Sequence, residues 1–225
     1  MSLYEERLTR DLNRIQHEIG SLGEMAGIAL RNAVSASLTG DLKLANSTVI
    51  LDKPINRKKK LINDLSYAFL AVHQPSGAHL RQVVAIMGIV DELERIGDYA
   101  ANIARHIPDL DQYLDLEKPI AVITEMVELV KGMLTDIMGA FAYGDVSKAI
   151  AVWHRDDRVD TIYADLLNSL RAKMAEDSDT IQACTGLVFV ARCCERIGDH
   201  ITNIAENVHY IEHNKTYIDG NVPLS

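Results

Sequence analysis

Apolar residues recur at three- and four-residue spacing through almost the whole chain, the period of helices that bury one face. That pattern, broken at turn-forming residues, predicts six helices: α1 over 3–38, α2 over 42–71, α3 over 78–107, α4 over 118–143, α5 over 146–175 and α6 over 179–213. Gly40-Asp41 and Gly144-Asp145 separate the first two helices of each half, with glycine ending one helix and aspartate capping the next. Short turns force neighbouring helices to run antiparallel, so the expected architecture is all-α, a pair of three-helix bundles in tandem. They span 1–107 and 118–213, and "IPDLDQYLDLEKP" (107–119) is the linker between them. Pro54 falls inside α2 and predicts either a kink or a restart capped by Asp52 or Lys53.

The halves are copies. "ERIGDYAANIA" (94–104) returns as "ERIGDHITNIA" (195–205), eight letters of eleven unchanged at an offset of 101. Gly40-Asp41 answers to Gly144-Asp145, and "ILDKPINRKKKLINDL" (50–65) to "HRDDRVDTIYADLLNSL" (154–170), at an offset of 104. The three-residue difference belongs in a turn, 72–80 against 175–183.

A core needs only apolar letters, so the repeated polar ones ask for another reason. On a helical wheel Glu195, Asp199, Asn203 and Glu206 form one stripe, opposite Ile197, Ile201, Ile204 and Val208. Glu94, Asp98 and Asn102 stand in the same relation to Ile96, Ala100, Ile103 and Ile107. These acids are expected to face away from their own core. Carboxylates at i and i+4 repel each other unless a cation lies between them. The second helix of each half offers further oxygen donors, Asp156 and Asp160 in α5, Asp52 and Asn56 in α2. Oxygen-rich sets of this kind suit hard or intermediate metal ions. Arg95 and Arg196 could instead neutralise the stripes by salt bridges.

Composition narrows the class. The 225 residues are 48% hydrophobic and 24% charged, ordinary for a folded protein, and aromatics at 5% are poor material for a turn-rich β-fold. The net charge of −9 argues against nucleic-acid binding. Three cysteines without a Cys-x-x-Cys give no disulfide framework and fit a reducing cytoplasm. Charged residues scattered through Met1–Gly20 argue against a signal peptide, and the apolar runs are too short to span a membrane.

The duplicated "ERIGD…NIA", the Gly-Asp turns and the repeated three-helix layout resemble the PhoU family, bacterial accessory proteins of phosphate-specific transport. The resemblance implies a cytoplasmic, often dimeric, non-enzymatic regulator that links a phosphate ABC transporter ATPase to a sensor histidine kinase. It also implies clusters of divalent or trivalent metal ions, iron or zinc, on the acid pairs. Carried over residue by residue, the ligands are Asp52, Glu94 and Asp98 in the first half and Asp156, Asp160, Glu195 and Asp199 in the second. Asn56, Asp91, Asn102 and Asn203 are possible additional ligands. The first half departs from the pattern at Asn56 and Pro54, so its site is expected to be the weaker or empty one. An accessory of another ion permease would use the same scaffold.

Two further features stand beside this reading. Glu206-x-x-His209, with His213 beyond, is similar to the Glu-x-x-His of carboxylate-bridged di-metal oxidoreductases, but the first copy has no counterpart. The basic run Arg57, Lys58, Lys59 and Lys60 is either a solvated face or a docking surface for an acidic partner.

Overall fold

The computed structural model describes residues 3–106 and 116–215. Six long helices make it up: α1 Leu3–Thr39, α2 Leu42–His73, α3 Gly77–Arg105, α4 Glu117–Tyr143, α5 Val146–Glu176 and α6 Ile181–His213. A 3₁₀ turn, Ser178–Thr180, precedes α6. In each half the three helices pack on one another as an antiparallel bundle. The tandem layout is therefore as the pattern predicts, with ends moved by up to two residues. Most of the expected linker lies outside the described residues; its last part, from Glu117, is already helix.

Local chemistry accounts for the breaks. Gly40 and Gly144 take φ of +66° and +65°, left-handed backbone that glycine adopts without penalty. The carboxylate of Asp41 then accepts from the amides of Lys43 and Leu44, both at 3.0 Å, and Asp145 accepts from that of Lys148 at 2.9 Å. The turns in which a length change was expected are built differently in the two halves: Gln74–Ser76 joins α2 to α3, while Asp177 and the 3₁₀ turn join α5 to α6.

Pro54 does not restart α2, which is one unbroken helix. The bond that proline cannot make would end on the carbonyl of Ile50, a residue 66% exposed, so water can take the freed acceptor and the helix loses little.

The two bundles are not separate bodies strung on a linker. α3 packs along α6 and α1 meets α4, and the buried apolar side chains form one connected cluster through both halves. The seam keeps the symmetry of the repeat. Tyr99 and His200, equivalent positions, bring their rings to 5.5 Å of each other. The pair His106–Phe189, with centroids at 4.5 Å, has as its counterpart Asn207 against Gly88.

Candidate metal centre

Each repeated motif places its acids in the groove between the second and third helices of its bundle. The stripes do not face fully outward as expected. Glu94 and Glu195 keep only 13% and 19% of their side-chain surface, while Asp98 and Asp199 keep 34% and 40%. The motif glycines explain the depth. A Cβ on Gly97 would press into Ile55, and one on Gly198 would meet Val159, the equivalent residue, so both helix pairs approach closely there. At Gly198 the carboxylate of Asp156 also rests over the bare backbone, closer than any side chain would permit. The composition of the repeated phrase held this signal, since glycine is repeated along with the acids, but attention to the charged letters misses it.

In the second half, Asp156, Asp160, Glu195 and Asp199 share one field. Burial first, then the charges of Asp160, Asp199 and Glu195, raise the Asp156 carboxyl to about 7. Asp160 and Glu195 are likewise raised, by burial and then by Asp199. Asp156 Oδ1 is buried and has no hydrogen-bond partner. Arg196 pairs with Asp199 at 3.0 Å and with Glu195 at 3.5 Å from the exposed side, leaving the deeper Asp156 unrelieved.

The first half has the same acids and a different balance. Asp98 is raised by burial and by Glu94 and Asp52. Here the chain supplies its own cation: Lys59 Nζ lies 2.9 Å from Asp91 and 3.3 Å from Glu94. Burial works against the Lys59 charge, but the Asp91 and Glu94 carboxylates outweigh it and raise the ammonium above its ordinary range. Arg105 reaches Asp52 at 4.0 Å, and Arg95 reaches Asp98 at 3.5 Å. The equivalents of Lys59, Asp91 and Arg105 are Tyr163, Arg192 and Glu206. Asp91, considered as a spare ligand, is thus tied to a lysine.

The other candidate ligands find nearer partners. Asn56 donates to Asp52 at 3.3 Å and Asn102 accepts from Arg105 at 2.7 Å. Asn203 turns across the seam and donates to Glu92 at 3.2 Å, where His200 Nδ1 also lies, 2.6 Å from the same oxygen. Glu92 has no equivalent acid in the second half, where Cys193 occupies its place, so the repeat alone does not reveal it. Of the basic run, Lys58 is bound to Glu18 at 2.6 Å and Lys59 to the stripe; Arg57 and Lys60 are the exposed members.

Among the described residues no three His, Cys, Asp or Glu side chains converge closely enough to chelate an ion as they stand. The donor set of the second half nevertheless fits a hard or intermediate cation: four carboxylates in one groove, one with an orphaned buried oxygen and a carboxyl raised to about 7. The first half fits less well, because Lys59 already offsets the charge. Glu206 is raised by burial despite a hydrogen bond from Trp153, and His209 turns to the carbonyl of Lys215, so the Glu-x-x-His pair points to separate partners. The cysteines are core residues: all three are buried, and burial raises the Cys193 thiol to about 11.

A model of the PhoU domain matches the chain twice, over residues 19–107 and 123–208. The accessory protein PhoU homolog of Caulobacter vibrioides is 35% identical over 89% of this chain and 87% of its own length. The phosphate-specific transport system accessory protein PhoU of Escherichia coli is 33% identical over 89% and 83%. Among solved structures, PhoU of Pseudomonas aeruginosa superposes with a TM-score of 0.87 at 29% identity, covering 92% of this chain and 99% of that one. The phosphate transport system regulatory protein PhoU of Streptococcus pneumoniae gives 0.84 at 25% identity, covering 94% and 99%.

Proposed function

The chain belongs to the PhoU family, and from that premise we propose that it is an accessory protein of bacterial phosphate-specific transport that acts in the cytoplasm as a regulatory adaptor. The observation that carries this reading is the family match across both halves, at identities above 30% to named accessory proteins. In this role it contacts the ATPase of a phosphate ABC transporter and a sensor histidine kinase, as a homodimer, and it turns over no substrate. No helix among the described residues is long and apolar enough to cross a membrane, which accords with a role beside the transporter.

The second bundle is its metal centre. Asp156, Asp160, Glu195 and Asp199 would hold iron, zinc or a similar ion, which would supply the positive charge that these carboxylates lack. The residues themselves do the positioning: Gly198 lets α5 and α6 close, and Arg196 screens the outer acids. In the first bundle Asp52, Glu94 and Asp98 form the weaker counterpart, with Lys59 in competition for the same oxygens.

Affinity capture of the chain from cells of its source, with the transporter ATPase and the kinase as the sought proteins, tests the adaptor role. Recovery of both supports it. Recovery of a different ion permease alone would transfer the chain to that system, and a phosphatase or oxidase activity lost in Glu195→Ala would replace the adaptor reading with an enzymatic one.

A further inference from the structure

α1 carries two exposed charges of opposite sign that the fold leaves unpaired. Glu24 and Arg31 have no ion pair or hydrogen bond among the described residues. Seven residues apart, they share one face of the helix but stand roughly 10 Å apart along its axis, beyond the one-turn spacing at which helical ion pairs form. The repeat shows the alternative. In α4 the equivalent positions are Glu128 and Thr135, and Lys131 stands where α1 has Gly27, so Glu128 is paired one turn on within its own helix. In α1 the place of that lysine is bare backbone.

The same face of α1 borders a trough. α1 and α4 run antiparallel there, since Gly23 lies against Met138 and Gly27 against Leu134. Two adjoining hollows of about 330 and 430 Å³ follow the line between the helices and share Arg31. A Cβ on Gly20 would meet nothing within 4 Å, and one on Gly27 only Leu134 at 3.6 Å. Ile28 lines the trough, half-buried.

From this geometry we propose that a second copy of the chain docks in the trough, α1 against α1 about a two-fold axis, which rests on the homodimeric reading above and gives that dimer its surface. A two-fold contact is isologous, so the two helices meet antiparallel and every contact occurs twice. With the axis passing between Gly27 and Ile28, Glu24 of each copy meets Arg31 of the other. The same register sets Ile28 of each copy over the bare backbone of Gly27 and brings Gly20 opposite Ser35, so the helices can close on one another. Two unpaired charges on each copy become two reciprocal ion pairs around an apolar centre. A different protein would have to carry the opposite charges at this spacing, whereas the chain's own α1 already carries them. Charges arranged in this way fix the register and the choice of partner.

Analytical ultracentrifugation of the full chain over a range of concentrations tests the surface, with Glu24→Arg, Arg31→Glu and the double variant for comparison. The parent should be a dimer. Each single reversal turns both ion pairs into like-charge contacts and should weaken the dimer at least about tenfold, while the double variant should restore it, because exchanging the two charges leaves them complementary. Damage to the fold would give no such rescue, and since both positions are exposed, all three variants should keep the parent's helical circular dichroism. A parent that stays monomeric at every concentration would overturn the homodimeric reading and this surface together. A dimer that neither single reversal weakens would overturn the surface alone and leave that reading standing; loss of the captured transporter ATPase in those variants would then assign the trough to that partner. Weakening without rescue would show that the two charges do not face each other, and would overturn the proposed docking.

Discussion

The carboxylate of Asp156 lies directly over the α-carbon of Gly198, so the second copy of the repeated motif uses its glycine to seat a charge, whereas the first uses Gly97 to seat the side chain of Ile55. One position of the repeat thus serves packing in one bundle and a buried acid in the other. That difference decides how substitutions at the two glycines should behave.

Gly198→Ala should lower stability by about 1 kcal/mol, because overpacking of about 1–3 kcal/mol is partly offset by the helix propensity of alanine, worth up to about 1 kcal/mol. It should also push Asp156 out toward solvent. Chemical denaturation measures the first effect. The second appears as a weaker dependence of the melting temperature on pH than in the parent; a parent-like profile would mean that Asp156 keeps its seat.

The pH dependence itself has a definite sign. Asp156 titrates near 7 when folded and near its ordinary 3.8 when unfolded, so between about 4 and 7 the folded state binds the extra proton. Stability contributed through this group is therefore present at low pH and lost as pH rises toward and through 7. Asp156→Asn cannot lose it. Without added metal, the melting temperature of the variant relative to the parent should climb from pH 4 to pH 7 and level off above. A difference that stays flat across this range would show that Asp156 is not buried with its charge unrelieved.

Much of this molecule is legible in its sequence, for reasons that particular residues make plain. The Gly-Asp turns combine a left-handed glycine with a capping carboxylate, and both act locally, so Gly40, Asp41, Gly144 and Asp145 can be read without a partner. The acids of the stripes are legible because they occur twice. What the sequence hides depends on contacts between distant segments. Lys59 sits in a basic run that reads as a solvated face, but helix packing swings it onto Asp91 and Glu94. The depth of Asp156 depends on how closely α5 approaches α6, which helical spacing alone does not specify.

The seam between the bundles is a second place where long-range contact decides. Glu92 Oε2 takes both His200 and Asn203, and only about a fifth of the His200 and Glu92 side chains is exposed. Glu92→Ala would leave two half-buried polar groups without this acceptor, at a cost of about 1–3 kcal/mol. A double-mutant cycle with His200→Ala should yield a coupling of at least about 0.5 kcal/mol. Additive losses would show that the pair does not tie α3 to α6.

Lys59 is the residue that most sharply separates the two metal-site candidates. Its ammonium lies in the first groove within reach of Asp91 and Glu94, and the second groove has Tyr163 in that position. Positive charge from a side chain and from a metal ion acts on the same carboxylates, so the lysine competes with the ion. Lys59→Met removes the competitor and leaves Asp52, Asp91, Glu94 and Asp98 facing one another. The variant should be less stable than the parent without metal, and it should gain metal: elemental analysis after dialysis against zinc or iron is expected to show about one more ion per chain, an occupancy limited by one new site. Asp98→Ala added to Lys59→Met should remove that gain, whereas Asp199→Ala in the parent should remove more metal than Asp98→Ala does. If Lys59→Met takes up no additional ion, the geometry of the first groove, with Asn56 turned onto Asp52 at 3.3 Å, excludes the metal independently of the lysine.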